Sequence, residues 1–446
     1  MKQESMKLYA VVGNPISHSL SPNMHNAGLE ELGIDAKYVR IAANNADEAI
    51  ALAKDLGILG LNITAPFKEE MAQKCDTLNQ EAKLLGAVNT IKIENGKLHG
   101  FNTDVLGVTK ALEANGVKIN GNKFVVIGAG GAAKAAALGL LSEGAQVVIA
   151  NRTIEKAKDI ANRLGCDYCS LSSSDLTQAL VNAVAIVSTA NTLDQLIPKE
   201  LLSKELVVLD ANYSKKTALL TDSIELGCKI INGSEWLLYQ GVKAFEIFTG
   251  KTAPIEIMRK VLAKAHAKPQ NIALVGLMGS GKSTVAKLIA KETNLKLIDV
   301  DQNIETINGT KIKDIFEIHG ETKFRELEKE EMSKIAHAQN SVISCGGGAI
   351  LDIENVEKLK KHCLVFWLYT KPETIVNRTI GDQSRPLVNF PDKLGILRKV
   401  MKNRLGLYAE ACDVIISTQD KLPQEVTTQI ICEAINLGLI KGVKNE

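Results

Sequence analysis

Ala273-Leu274-Val275-Gly276-Leu277-Met278-Gly279-Ser280-Gly281-Lys282-Ser283-Thr284 decides the fold of the carboxyl-terminal part of the chain. Its apolar opening reads as a buried strand, and its end opens a helical segment. Between them Gly276, Gly281, Lys282 and Ser283 meet the G-x-x-x-x-G-K-S spacing. Backbone amides of such a loop wrap a β-phosphate, the lysine reaches the β- and γ-phosphates, and the serine hydroxyl can ligate Mg2+. Gly276, Gly279, Ser280, Gly281, Lys282, Ser283 and Thr284 are therefore the expected nucleotide contacts. Strands are expected at residues 272–275, 296–300, 342–344, 364–368 and 414–416, alternating with helices as in a parallel sheet covered on both faces.

The second of these strands ends in Asp299-Val300-Asp301. Strand alternation sends both carboxylates to one face, where one can hold the metal's water shell and the other can orient or deprotonate an attacking hydroxyl. The third runs into Cys345-Gly346-Gly347-Gly348, whose backbone amides can approach a ligand closely. Arg385-Pro386-Leu387 sits in a polar, turn-rich stretch suited to a lid. Arg325, Arg385 and Arg404 beside a P-loop and a triple glycine suggest an anionic acceptor.

A second glycine loop lies upstream, in Val125-Val126-Ile127-Gly128-Ala129-Gly130-Gly131-Ala132-Ala133. Gly128, Gly130 and Ala133 form G-x-G-x-x-A after a strand, the spacing that suits a dinucleotide pyrophosphate. About twenty residues on, where an NAD-preferring fold puts an acid, the chain has Asn151-Arg152-Thr153. A guanidinium there favours the 2′-phosphate of NADP. Strands expected at 124–127, 147–150, 185–188, 207–210 and 229–232 give this region its own parallel sheet, and residues 236–263 read as helical.

At 446 residues the chain exceeds one hydrophobic core. Its 53 basic and 51 acidic residues argue against a nucleic-acid or anionic-membrane surface. The first residues, Met1-Lys2-Gln3-Glu4-Ser5, carry no apolar signal core, and no stretch nears the roughly 18 apolar residues of a membrane span, so a cytoplasmic protein is expected. Eight scattered cysteines read as reduced thiols; only Cys166 and Cys169 have ligand-like spacing, and no second pair completes a site.

The amino-terminal segment adds ordered motifs: Ser17-His18-Ser19-Leu20-Ser21-Pro22, Asn62-Ile63-Thr64-Ala65-Pro66-Phe67-Lys68, Gly86-Ala87-Val88-Asn89-Thr90 and Gly100-Phe101-Asn102-Thr103-Asp104. Serine hydroxyls beside helix N-terminal amides make a carboxylate receptor. A lysine and an aspartate brought together can exchange a proton with a substrate hydroxyl while a nicotinamide exchanges hydride.

This ordered set resembles shikimate dehydrogenase over roughly residues 6 to 262. The resemblance implies that Ser19 and Ser21 hold the shikimate carboxylate. Asn62, Thr64, Asn89, Asp104 and Gln240 would hold the ring hydroxyls, with Tyr213 near the ligands. Lys68 and Asp104 would be the catalytic pair. Gly128, Ala129, Gly130, Gly131, Ala132 and Ala133, with Asn151, Arg152 and Thr153, would bind NADP. Three departures stand out: Phe101 in place of a second acid, Ser188-Thr189-Ala190 near the nicotinamide, and Trp236 in place of a methionine.

From about residue 270 to 440 the chain resembles shikimate kinase. That resemblance implies acceptor binding by Asp301, Arg325, Gly346, Gly347, Gly348 and Arg404. It also implies Mg2+ service by Ser283 and Asp299, a catalytic lysine in Lys282, a lid arginine in Arg385, and Arg378 against the adenine. The product implied for one half is the acceptor implied for the other.

The expected fold is α/β throughout. A substrate domain (6–105, completed by 236–262) would flank a Rossmann-like NADP domain (106–235). A linker (263–270) would lead to a P-loop kinase domain of the nucleoside-monophosphate-kinase type (271–446). The expected function is a fused enzyme for two consecutive shikimate-pathway steps toward aromatic amino acids. Its partners would be the small molecules 3-dehydroshikimate and shikimate, and its oligomeric state is left open. Two alternatives remain at this level: a working kinase joined to a ligand-binding dehydrogenase module, and a quinate-type half using NAD.

Overall fold

The computed structural model describes residues 6–213, 216–264, 268–380 and 392–440. They divide into two compact units. The first gathers residues 6–22, 35–61 and 268–440, and the second gathers 23–34 and 62–264.

In the second unit a six-stranded parallel sheet runs, in spatial order, Lys229–Asn232, Val207–Asp210, Ala183–Ser188, Lys123–Ile127, Gln146–Ala150, Asp167–Cys169. Numbered along the chain this is 6-5-4-1-2-3, the doubly wound dinucleotide-binding order, whose ligand crevice lies where the order reverses beside the first strand. The two-residue side-chain period of Lys123–Ile127 builds both faces. Phe124 and Val126 join a core with Leu112, Leu140 and Leu209, while Val125 and Ile127 join one with Leu176, Ile186 and Val208. Each such fully buried aliphatic side chain contributes about 1.5–3 kcal/mol. The unit also holds an antiparallel hairpin, Thr90–Glu94 with Lys97–Phe101, and the short strand Thr77–Leu78 beside it.

The first unit is built on strands Lys296–Asp299, Ser341–Ser344, Asn271–Val275, Cys363–Tyr369 and Val414–Ser417, in that spatial order. Every residue of Asn271–Val275 and Cys363–Tyr369 is buried, as expected for parallel strands covered on both faces. The sheet continues past Val414–Ser417. Ala36–Ala42 pairs with it in parallel, Val414 opposite Arg40 and Ile416 opposite Ala42, and Lys7–Gly13 pairs in turn with Ala36–Ala42. Ion pairs line the same join, including Lys421–Glu48 at 2.5 Å, with both side chains mostly buried, and Lys371–Asp55 at 3.1 Å.

The strands expected from sequence form to within about two residues at each end, the ordinary uncertainty of element boundaries. Residues 236–263 are two helices, Gly233–Thr249 and Ile255–Leu262, because Gly250 takes a left-handed conformation (φ 68°) that ends the first. Asp301 is not on a strand. Lys296–Asp299 ends at Asp299, whose side chain accepts from Gln302 N and caps the helix Val300–Asn308, so helix geometry, not strand alternation, sets where Asp301 points.

Candidate active sites

In the second unit the sheet's first strand, Lys123–Ile127, runs into Gly128, which has φ 112°, a conformation that L side chains rarely adopt. A Cβ there would lie 2.5 Å from Thr189 Oγ1. Thr189 donates both its backbone N–H and its hydroxyl to Ile127 O, each at 2.9 Å. The departure at Ser188-Thr189-Ala190 thus clamps the start of the glycine loop. Gly130 is the N-cap of the helix Gly131–Ser142 and supplies no side-chain cap, and a Cβ on Gly130 or Gly131 would meet nothing within 4 Å. Uncapped helix amides facing open space suit a pyrophosphate. Arg152 and Thr153 are exposed at the end of the neighbouring strand, and Asn151 donates to Thr153 O at 2.9 Å. The donor set fits a phosphorylated dinucleotide.

The same unit joins the expected catalytic pair. Lys68 opens the helix Lys68–Lys74 and Asp104 opens Asp104–Ala114. Their Nζ and Oδ2 lie 2.6 Å apart, with side chains 24% and 13% exposed. The other carboxylate oxygen of Asp104 accepts from Asn89 Nδ2 at 2.9 Å, and the same amide reaches Gln240 Oε1 at 3.2 Å. Asn62 donates to Asn89 O and Thr90 Oγ1, so Asn62, Lys68, Asn89, Asp104 and Gln240 belong to one hydrogen-bonded network. Thr64 is half-buried, four residues before Lys68. Trp236, another of the departures, donates its indole N–H to Asp104 O at 3.0 Å and so steadies the backbone at Asp104. Phe101 ends the strand Lys97–Phe101, and its carbonyl accepts from Asn89 N. Tyr213 is half-buried in the loop after Val207–Asp210, a loop pinned by Asp210 through Asn212 N and the Thr217 hydroxyl.

Ser19 and Ser21 lie in the first unit, both buried, with Ser19 Oγ accepting from Ser21 N at 3.3 Å. Arg40 donates twice to Ser19 O, at 2.7 and 3.1 Å.

The P-loop is in the first unit. Gly276 has φ 146°, and a Cβ on it would lie 2.6 Å from Leu368 O, so only glycine fits between the loop and the neighbouring strand. Gly281 caps the helix Lys282–Thr293 without a side-chain bond. Lys282 is buried, with Nζ donating to Gly276 O and Leu277 O at 2.9 and 3.1 Å. Ser280 Oγ is buried without a hydrogen-bond partner among the described residues. A helix N-terminus without a side-chain cap, a hydroxyl unpartnered among the described residues and a buried ammonium fit a nucleotide's phosphates. Gly279, Ser280, Gly281, Lys282, Ser283 and Thr284 line a cavity of about 360 Å³ with Arg378. Arg378 is fixed there by bonds to the Thr418 hydroxyl and carbonyl at 3.0 and 2.7 Å.

A larger cavity of about 930 Å³ is lined by Ser283, Asp299, Asp301, Arg325, Gly346, Gly347, Gly348 and Arg404. Buried packing positions its glycine wall. Trp367 stacks on Tyr408 with ring centroids 5.1 Å apart, and Tyr408 then donates to Gly347 O at 2.8 Å, beside Arg404 at 2.9 Å. A Cβ on Gly348 would run into the Arg325 guanidinium. Ser283 Oγ lies 3.1 Å from Ser344 Oγ. With Asp299, which lines the same cavity, it would offer hard oxygen donors of the kind Mg2+ prefers.

Sequence reasoning missed Glu328. It is almost fully buried, bonded to Arg325 at 2.6 Å, with its other oxygen unpartnered among the described residues. Burial holds its carboxyl above the ordinary glutamate range, with Arg325 pulling the other way and Asp301 adding to the rise. The only signal in the sequence was its place one helical turn after Arg325. Arg385 lies outside the described residues.

A dinucleotide fold carrying a lysine–aspartate pair, and a P-loop opening on an arginine-lined cavity, define a nicotinamide-dependent oxidoreductase joined to a phosphotransferase. Family models agree. "Shikimate dehydrogenase substrate binding domain" matches residues 11–91, "Shikimate / quinate 5-dehydrogenase" 110–217, "Shikimate 5'-dehydrogenase C-terminal domain" 233–263 and "Shikimate kinase" 278–434. The NADP(+) shikimate dehydrogenase of Haloarcula marismortui is 42% identical over 260 residues, 57% of this chain and 97% of its own. The crystal structure of shikimate dehydrogenase from Aquifex aeolicus matches with 35% identity and a TM-score of 0.56, covering 59% of this chain and all of that one. The Thermus thermophilus enzyme, solved with NADP(H) and shikimate, matches with 32% identity and a TM-score of 0.53 over 57% of this chain and 98% of its own. The chain belongs to the shikimate dehydrogenase family and carries a shikimate kinase domain on the same polypeptide.

Proposed function

We propose that this bifunctional shikimate-pathway enzyme reduces 3-dehydroshikimate to shikimate with NADPH and then transfers the γ-phosphate of ATP to the shikimate 3-hydroxyl. One observation supports each half. For the reductase it is the 2.6 Å Lys68–Asp104 pair anchored by Asn89. For the kinase it is the single cavity that brings together Asp301, Arg325, Arg404 and the triple glycine.

Bound NADPH supplies the hydride to the substrate's carbonyl carbon. Lys68 delivers the proton to the carbonyl oxygen, and Asp104 holds the ammonium in place. Ser19 and Ser21 hold the carboxylate in this reading, while Asn62, Thr64, Asn89 and Gln240 fix the hydroxyls, with Tyr213 beside them. Arg152 takes the 2′-phosphate.

In the kinase half Asp301 orients the acceptor hydroxyl and accepts its proton. Arg325 and Arg404 bind the acceptor's carboxylate, and Lys282 with Arg385 stabilises charge on the transferring phosphoryl group. Ser283 and Asp299 would serve Mg2+, and Arg378 would face the adenine.

Separate assays on the purified chain test the proposal. NADPH oxidation should depend on 3-dehydroshikimate. Phosphate transfer from ATP should depend on shikimate and stop when Mg2+ is chelated. Phosphorylation without NADPH oxidation would remove the reductase half of the proposal, and the reverse result would remove the kinase half.

A further inference from the structure

The loop that carries Ser19 and Ser21 is gripped by an element from the other end of the chain. The helix Pro423–Asn436, the last of the shikimate kinase domain, points Glu433 at it. Glu433 is fully buried. Its carboxylate accepts from Ile16 N at 3.0 and 2.9 Å and from Ser17 N at 2.7 Å. Ser17 Oγ donates back to Glu433 O at 3.0 Å. One turn on, Asn436 Nδ2 meets His18 Nδ1 at 2.7 Å. On the far side of Ser19, Arg40 ties Ser19 O to Asp413 O, just before the strand Val414–Ser417.

We infer that Glu433 is a positioning residue for the dehydrogenase reaction: a kinase-domain carboxylate that holds the carboxylate-binding serine loop in its working shape. The inference rests on the proposed role of Ser19 and Ser21. The physical case is that three adjacent loop residues, Ile16, Ser17 and His18, take non-local partners from one helix. Charge-assisted bonds to backbone N–H groups are about twice as strong as neutral ones. Burial forces this carboxylate to keep its donors, since an unpaired buried charge is costly. Without it the two amides lose their acceptor, the loop samples other conformations, and substrate affinity falls in proportion to the fraction of competent loops.

The test uses the full chain with Glu433→Gln, Glu433→Ala and Asn436→Ala. In Glu433→Gln the new amide offers one oxygen to the two backbone N–H groups and turns an NH2 toward a donor, so it should retain part of the effect. The expected result is a KM for 3-dehydroshikimate raised about tenfold in Glu433→Ala, with a smaller rise in Glu433→Gln and in Asn436→Ala. The kcat, the KM for NADPH and both kinase KM values should stay unchanged. If Glu433→Ala does not fold, Glu433→Gln and Asn436→Ala still report. A dehydroshikimate KM that stays at the parent's value in these variants overturns the inference, as does a fall in kcat of both halves at fixed KM, which marks general destabilisation. A parent chain with no dehydrogenase activity would instead defeat the functional reading itself.

Discussion

Lys68 Nζ sits 2.6 Å from Asp104 Oδ2, and the lysine opens one helix while the aspartate opens another. Each is placed by backbone, and Asn89 fixes the remaining carboxylate oxygen. Lys68→Ala should therefore lower the dehydrogenase kcat by about a hundredfold to ten-thousandfold, the usual worth of a positioned proton donor. ATP-dependent phosphorylation should be untouched. Lys282→Ala should show the converse pattern. Loss of both activities in either variant contradicts separate catalytic groups.

Arg152 is exposed two residues past the strand Gln146–Ala150, whose last carbonyl accepts from Gly128 N at the start of the glycine loop. Its replacement by Ala should weaken NADPH about tenfold or more, the value of a charge-assisted contact to phosphate, and leave NADH use unchanged. Steady-state KM values for the two dinucleotides check this. An equal loss for both would assign Arg152 a role unrelated to the 2′-phosphate.

Gly348 has no room for a methyl group, because the Arg325 guanidinium occupies that space. Gly348→Ala should push the arginine out of place and lower the kinase kcat/KM for shikimate, on the order of a hundredfold for a displacement of about 1 Å. The KM for ATP should hold. Wild-type kinetics in this variant would mean that Arg325 does not touch the acceptor.

Glu328 gives a pH prediction. Burial makes its carboxyl harder to ionise in the fold than in the unfolded chain. Its contribution to stability is thus fully present below the ordinary glutamate value of 4.5 and is lost as pH rises through the folded value. Measured against Glu328→Gln, which does not titrate there, the parent's thermal midpoint should become relatively worse from mildly acidic to neutral pH. A constant gap, or one that moves the other way, refutes this.

Much of this architecture could be read from residue types alone. Apolar runs followed by Gly128 and Gly276 located both nucleotide loops, because glycine spacing is a local signal. Lys68, Asn89, Asp104 and Gln240, far apart in sequence, share one hydrogen-bonded network, and Asp301, Arg325, Gly346–Gly348 and Arg404 line one cavity. What local pattern could not supply was partnership at long range. Nothing in residues 36–42 announces that they pair with 414–417, and Glu433 on an amphipathic helix looks like an ordinary polar position until Ile16 and Ser17 are brought to it. The hairpin Thr90–Glu94 with Lys97–Phe101 was also missed, since its strands are short and only partly buried.

The pairing of Ala36–Ala42 with Val414–Ser417 has one more implication. The covalent joint near residues 264–268 is not what keeps the two ends of the polypeptide together. A backbone nick there should yield fragments that co-migrate under native conditions and part only in denaturant. Two separately made pieces should likewise reconstitute one particle when refolded in each other's presence.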